Sequence, residues 1–185
     1  MSYAEFGTPI KSTEVEFSST SIGVESAGMS KLPRAVSMNP DASAVAVRVA
    51  SATVRDPELA AAELARQLQH EHLGCVLFFC SVEFDLEKLG PALQAAFPQT
   101  RIYGCTSAGE ITEQGYGRGC ISALGFDARF FAIDCALISE LERFTLQDAQ
   151  QVIDGLLSTC REARLAPVKG NTFAITMLDG LSSRE

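Results

Sequence analysis

An uninterrupted apolar run, residues 75–80, separates two amphipathic helical patterns and leaves few folds open to this chain. A strand covered on both faces has this composition, because neither of its faces has to meet water. The helical pattern before the run begins at Asp56-Pro57, which supplies an N-cap and the residue favoured at the first helical position. This order predicts a strand between two helices, the central part of an α/β fold.

Five further segments have the apolar content of strands. They are residues 44–50, 101–105, 120–126, 130–139 and 172–178. Because only Asp127-Ala128-Arg129 separates the third segment from the fourth, these two are expected to form an antiparallel hairpin within a mixed sheet. The residues expected to be buried in the sheet are Leu77, Phe79, Leu124, Ile133 and Ile175.

A second helix is predicted over residues 86–97, where Gly90-Pro91 is expected to kink the helix or delay its start to Pro91. Further along, Thr145 and Asp148 resemble a capping box with Asp in place of Glu, followed by a long apolar helical face. The fold class predicted from these elements is α/β, with a mixed, largely parallel sheet flanked by helices.

Residues 1–40 are rich in Ser, Thr and Gly and show no sustained periodicity, so they are expected to form a flexible N-terminal arm. Residues 41–185 are expected to form a single folded domain. Since the sequence reaches Ser183 without a closing element, we expect this domain to be truncated, with the C-terminal half of a longer protein absent.

The charge balance argues against a nucleic-acid partner. The chain has 15 Lys and Arg against 23 Asp and Glu, a net charge of −8, and phosphate binding depends on a basic face. Its apolar runs are too short to span a bilayer, and residues 1–8 lack the pattern of a signal peptide. A cytoplasmic protein without a membrane span is therefore expected.

Six cysteines are scattered along the chain without a CxxC pair, which argues against a zinc site and favours reduced core cysteines. A nucleophilic enzyme would need a base within reach of Cys105. Glu110 is near in sequence, but neither histidine lies in a loop at the end of a strand. The chain is therefore expected not to be an enzyme.

Polar loops follow three of the predicted strands, and loops at the C-terminal ends of parallel strands gather at one edge of a sheet. Besides residues 81–85, two loops have the small and polar composition of a ligand site. Their candidate ligand-binding residues are Cys105, Thr106, Ser107, Gly109, Glu110, Asp179, Gly180, Ser182 and Ser183. We expect the two loops to lie side by side and bind a small polar ligand, the alternative being that they only form tight turns.

The same residues carry a family resemblance. The stretch from Gly104 to Ile111 resembles the signature of the FIST sensory-domain family, residues 178–185 resemble its second marker, and residues 77–81 fit its early strand and turn. The resemblance implies an intracellular ligand-binding sensory domain of a signal-transduction protein. It would pass ligand occupancy to a partner or fused output module, such as a histidine kinase of a two-component system, a chemotaxis transducer or a cyclic-dinucleotide enzyme.

One branch of this family is regarded as haem-binding nitric oxide sensors, and the chain is similar to it in general pattern. Haem requires an axial ligand in an apolar pocket, and the chain has only His70 and His72. His72 is the preferred ligand because it adjoins Leu73, and the alternative is a structural histidine pair at a helix end. Two alternatives thus stay beside the small-ligand sensor: a haem-based nitric oxide sensor and a ligand-free protein-interaction module.

Overall fold

The computed structural model describes residues 3–6, 45–138 and 143–177. Its strands in chain order are β1 (Tyr3–Phe6), β2 (Val47–Ala52), β3 (Leu73–Ser81), β4 (Arg101–Ser107), β5 (Glu110–Thr112), β6 (Gly115–Gly117) and β7 (Ile121–Asp127). Its helices are α1 (Pro57–Leu68), α2 (Leu86–Ala96) and α3 (Leu146–Ala163). All of these helices and strands belong to one compact unit.

Five strands form a mixed sheet in the order β1-β4-β3-β7-β2. The pairing of β3 with β4 is parallel, and the other three pairings are antiparallel. Strands β5 and β6 form a separate two-stranded hairpin. The predicted α/β class with a mixed sheet is confirmed, but the sheet is not largely parallel as expected, since only one of its four pairings is parallel.

Helices α1 and α2 cover one face of the sheet, and their caps follow from the sequence. Asp56 accepts a hydrogen bond from the Leu59 amide at 2.9 Å, and Pro57 begins α1 as predicted. Asp85 caps α2 in the same way, through the Glu87 amide at 3.2 Å. The core between these helices and the sheet includes Leu64, Leu68, Val76, Phe78, Leu89, Leu93, Ile102 and Ile121.

Helix α2 begins at Leu86 and contains Pro91, so the expectation that its start is delayed to Pro91 is wrong. The carbonyl of Asp85 accepts the amides of Lys88 and Leu89, which completes a first turn before the proline is reached. Pro91 then removes only one hydrogen bond from a helix held by its buried face.

The predicted hairpin after β7 is wrong, because residues 130–138 form no strand in this structure. Both edges of β7 are already occupied, one by β2 and the other by β3. At the end of β7 the amides of Phe130 and Phe131 bond the Asp127 carbonyl, which turns the chain away from the strand. The segment then packs Phe131 and Ile133 against the second face of the sheet.

The predicted last strand is also not observed over residues 172–177, and Leu178 lies outside the described residues. These two extended segments cover the second face of the sheet only in part. Leu77 is buried as predicted, but Phe79, Leu124 and Ile133 are half-buried, and Ile175 is 58% exposed. The burial predicted for these last four residues was therefore too high.

Strand β2 begins at Val47, and it turns its smallest side chains inward. Ala50 and Ala52 are buried below α1, whereas Val49 is 62% exposed. Buried and exposed side chains do alternate along β2, but the face that carries the valines is the more exposed of the two. Small residues fit here because α1 passes close to this strand, and Gln67 of α1 bonds the backbone of Ser51.

Helix α3 starts with the predicted capping box, in which Thr145 and Asp148 each bond the other's backbone amide. None of its side chains is buried, so its apolar side is only partly covered by the described residues. Two elements were not predicted: the β5–β6 hairpin, and strand β1 within the expected N-terminal arm. The rest of that arm lies outside the described residues, so its extent stays a prediction.

Candidate functional site

The parallel strands β3 and β4 end side by side. Cys80 lies opposite Thr106, and Ser81 lies opposite Ser107, at the last two positions of the pairing. Because the strands run in the same direction, the loops that follow them leave from one edge of the sheet. The structure thus brings the predicted loop after β4 next to the predicted loop over residues 81–85.

The second face of the sheet becomes polar toward this edge. Ser122 of β7 lies between Ser51 of β2 and Phe79 of β3, and Phe79 lies opposite Cys105 of β4. The next residues on the same face, two positions along each strand and farther from this edge, are Val49, Leu124, Leu77 and Tyr103. Since side chains alternate between faces along a strand, these two sets share the face opposite α1 and α2.

Glu110 is the central group of the candidate site. Its side chain is almost completely buried, at 2% exposure, although it is a carboxylate. The Ser107 hydroxyl donates to its Oε1 at 2.8 Å, and the Cys120 thiol donates to its Oε2 at 3.3 Å. The carboxylate therefore connects the end of β4, the start of β5 and the start of β7.

The neighbouring thiols are held in the protonated form. Burial, followed by the hydrogen bond to Glu110, raises the pKa of the Cys120 thiol above its ordinary value. Burial and the nearby carboxylate of Glu110 raise the pKa of Cys80 to about 12. Burial likewise raises the pKa of Cys105. A thiol that stays protonated and buried is a poor nucleophile.

Cys105 also shows where the chain returns toward the site. Its thiol lies 3.7 Å from the Met177 sulfur, which holds the segment leading to residue 178 against β4. The second predicted loop follows two residues later. Its residues Asp179, Gly180, Ser182 and Ser183 lie outside the described part of the chain, so their place beside the first loop stays a prediction.

Thr106 and the glycines of the first loop have surroundings that the sequence did not indicate. Thr106 is buried and alternates with Cys105 and Ser107, so it lies on the face that the helices cover. A Cβ atom on Gly109 would overlap the ring of Tyr116. The Tyr116 hydroxyl donates to the Ala108 carbonyl at 3.4 Å, so this glycine makes room for the hairpin rather than for a ligand.

Two clefts flank the hairpin on the side of β2. The smaller one, about 260 Å³, is lined by Val49, Ala50, Ser51, Ile111, Thr112 and Glu113. The larger, about 820 Å³, is open and runs between β2, α1 and the hairpin turn. None of the predicted site residues within the described segments lines either cleft, so the clefts adjoin the candidate site but do not coincide with it.

The two histidines lie at the opposite end of β3. The His72 amide donates to Nδ1 of His70 at 3.3 Å, and burial lowers the pKa of His70. The His72 side chain is 39% exposed, with its Nε2 3.9 Å from a Glu71 carboxylate oxygen. This setting does not fit an axial haem ligand, which needs an apolar pocket.

The described segments contain neither a metal-ion cluster nor a helix suited to crossing a membrane. No group of three or more His, Cys, Asp and Glu side chains could hold a metal ion in the parts of the chain that the structure describes. Within those same parts, none of the helices combines the length and the apolar character needed to cross a bilayer.

Comparison with known proteins identifies the family. The FIST N domain model matches residues 74–185, which is more than half of the chain and includes β3 from its second residue, β4 and the Glu110 site. Neither the curated proteins nor the solved structures contain a match. The matched segment includes all three stretches on which the sequence resemblance rested, residues 77–81, 104–111 and 178–185. The chain belongs to the FIST family of sensory domains found in signal-transduction proteins.

Proposed function

We propose that this FIST domain binds a small polar ligand at the edge where β3 and β4 end, and passes its occupancy to a signalling partner. The observation that carries the proposal is the buried carboxylate of Glu110. Its described contacts are two neutral donors, Ser107 and Cys120, and none is an ion pair. Burying a carboxylate without a cation is costly, which favours a ligand with an amine or another polarised donor.

The position of Glu110 gives such a ligand a way to change the structure. Ser107 belongs to β4, Glu110 begins β5, and Cys120 stands before β7. A donor from the ligand would compete with the Ser107 hydroxyl or the Cys120 thiol for the carboxylate. The hairpin that starts at Glu110 would then shift relative to the sheet, and the hydrogen bond from the Ser122 hydroxyl to the Ile111 carbonyl, 2.9 Å long, would have to change with it.

The second loop completes the proposed site. Asp179, Gly180, Ser182 and Ser183 would add a carboxylate and hydroxyls beside Cys105, Ser107 and Glu110. The contact between Met177 and Cys105 supports this arrangement, because it leaves only one residue between the held segment and Asp179. Gly109 contributes by admitting Tyr116, which positions the hairpin next to the site.

Family membership supports an output through a signalling protein, such as a histidine kinase or a chemotaxis transducer, and a cytoplasmic location for both. The buried, protonated thiols support binding rather than catalysis. The haem alternative gains no support from the surroundings of His72. The interaction-module alternative becomes the better account if no small ligand stabilises the fold.

The experiment is a thermal-shift screen with amino acids and other small amines as the probes. A ligand that binds the folded state must raise its melting temperature. Glu110→Gln preserves the shape of the side chain and removes its charge, so we expect it to abolish the shift. Glu113→Gln, an exposed carboxylate on the hairpin turn, is the matched control and should keep it.

A second pair of variants tests the completed site. Asp179→Asn should reduce the shift while leaving the melting temperature of the unliganded protein unchanged, because Asn keeps the turn chemistry. If no amine shifts the wild type, or if Glu110→Gln and Asp179→Asn respond like the wild type, the proposed site is wrong.

A further inference from the structure

The outer edge of β2 is a second surface of interest, and it is independent of the ligand site. Strand β2 ends the sheet order, and its described partner is β7 alone. The Ala46 carbonyl accepts the Asp127 amide at 3.1 Å, so the even-numbered residues bond β7. The backbone groups of Val47, Val49 and Ser51 therefore point away from the sheet, as they do in an edge strand.

Gln67 of α1 shows what this edge can bind. Its side-chain carbonyl accepts the Ser51 amide at 3.2 Å, and its side-chain nitrogen donates to the Ser51 carbonyl at 2.9 Å. These two bonds reproduce the pair that a residue of a neighbouring strand would make. The same side-chain nitrogen of Gln67 also donates to a Glu63 carboxylate oxygen at 2.7 Å, which holds the Gln67 side chain beside Ser51.

Among the described residues, no side chain bonds the outward backbone groups of Val47 or Val49 in the way that Gln67 bonds those of Ser51. The side chain of Val49 is 62% exposed, and the smaller cleft places the exposed Ile111 beside it. The larger cleft continues along Ser51 toward α1. Both clefts leave space for an extended strand to approach the edge.

We propose that β2 pairs antiparallel with β2 of a second copy of this chain, across a two-fold axis at Val49. In this register Val49 faces its own copy, Val47 faces Ser51, and Arg48 faces Ala50. In this register no like charges lie directly opposite each other. Like charges placed directly opposite would destabilise the pairing of the two strands. A two-fold interface of this kind is self-complementary, since each strand offers the other the same outward groups.

Gln67 would regulate this pairing. The full ladder needs the amide and carbonyl of Ser51, which Gln67 occupies in the single chain. The side chain therefore competes with the second copy for the same two groups. Removing the Gln67 side chain should therefore favour the dimer. If Gln67 only shielded the edge of β2 from pairing in general, its removal would not favour this specific dimer.

The test is sedimentation velocity of the full chain from low to high micromolar concentration, with circular dichroism as the check of folding. We expect a reversible dimer. Val49→Pro removes one outward N–H without touching the bonds to β7, so it should give a folded monomer. Val49→Ala keeps the N–H and should still dimerise. Gln67→Ala should lower the dissociation constant roughly 25-fold, because a two-fold dimer displaces two Gln67 side chains and each is worth about one net hydrogen bond, a factor of about five.

Three results would overturn the proposal. The first is that the chain stays monomeric at every concentration. A lower melting temperature of Val49→Pro in such a monomer would mean that another segment of the same chain covers β2. The second is a dimer that Val49→Pro leaves intact. The third is a dimer that instead dissociates on Ile153→Glu, which would place the interface on the exposed side of α3.

Discussion

The Cys120 thiol donates a hydrogen bond to Oε2 of Glu110 at 3.3 Å, and both side chains are buried. This contact joins the segment before β7 to the first residue of β5, so it fixes where the hairpin leaves the sheet. Burial and the carboxylate together raise the pKa of the thiol, which keeps the proton on sulfur and the hydrogen bond in place. The contact is the basis of the first prediction.

Cys120→Ala should destabilise the protein more than Cys120→Ser. Alanine leaves one oxygen of a buried carboxylate without its donor, which costs about 1 to 3 kcal/mol, whereas the serine hydroxyl replaces the thiol as a donor. Urea unfolding followed by circular dichroism measures the difference. Equal stabilities for the two variants would show that the hydrogen bond to Glu110 contributes nothing.

Stability should fall in acid because of Asp127. This buried carboxylate bonds the Arg129 guanidinium at 2.7 Å, and that pairing lowers the pKa of Asp127 from an ordinary 3.8 to about 2. A depressed pKa in the folded state gives stability that is present above the ordinary value and is lost as pH falls toward 2. Because Arg129 is exposed, we expect a loss of only ~1 kcal/mol.

Urea unfolding between pH 5 and pH 2 measures this loss. Asp127→Asn is the matched variant, since it removes the titrating group and keeps a side chain of similar size. Its free energy of unfolding should be lower than that of the wild type at pH 5 and should approach it at pH 2. A wild type and a variant that differ by the same amount at both pH values would contradict the prediction.

Gly109→Ala should displace the hairpin. The new Cβ atom would overlap the ring of Tyr116, so either the ring or the backbone must move, at a cost of about 1 to 3 kcal/mol. In a Tyr116→Ala background the same substitution should cost clearly less. A double-mutant cycle based on urea unfolding gives the coupling between the two positions. Additive effects would mean that the two residues do not meet.

His72→Ala should leave any haem binding unchanged, because the His72 side chain is partly exposed, with its Nε2 3.9 Å from a Glu71 carboxylate oxygen, rather than set in an apolar pocket. Visible absorption spectra of wild type and variant, titrated with haem and then exposed to nitric oxide, provide the measurement. Loss of a haem band on this single substitution would restore His72 as the ligand.

The elements predicted correctly are those whose signals lie within a few residues. Asp56 and Pro57 begin α1, Thr145 and Asp148 begin α3, and the apolar run of β3 needs no partner to be identified. Failures came where the outcome depends on distant residues. The sequence after β7 has the pattern of a hairpin strand, but β2 and β3 already occupy both edges of β7.

The candidate site shows the same division. The glycines and hydroxyls after β4 indicated a candidate loop, and the parallel pairing of β3 with β4 could be expected from the helix between them. That Glu110 turns inward to meet Cys120 could not be predicted, because ten residues and a hairpin separate the two. Tyr116, which fills the space at Gly109, was missed for the same reason.

The alternation of backbone bonding along β2 has a consequence for how its amides exchange with solvent. The amides of Arg48 and Ala50 face β7 and open only when the sheet opens, while those of Val47 and Val49 face outward. Neighbouring amides in one short strand would then differ widely in deuterium uptake, with Ser51 between the extremes because Gln67 covers it. A strand that covers this edge would slow the exchange of Val47 and Val49, and that of Ser51 where it displaces Gln67, while leaving Arg48 and Ala50 unchanged, so the exchange pattern of β2 reports directly on whether its edge is occupied.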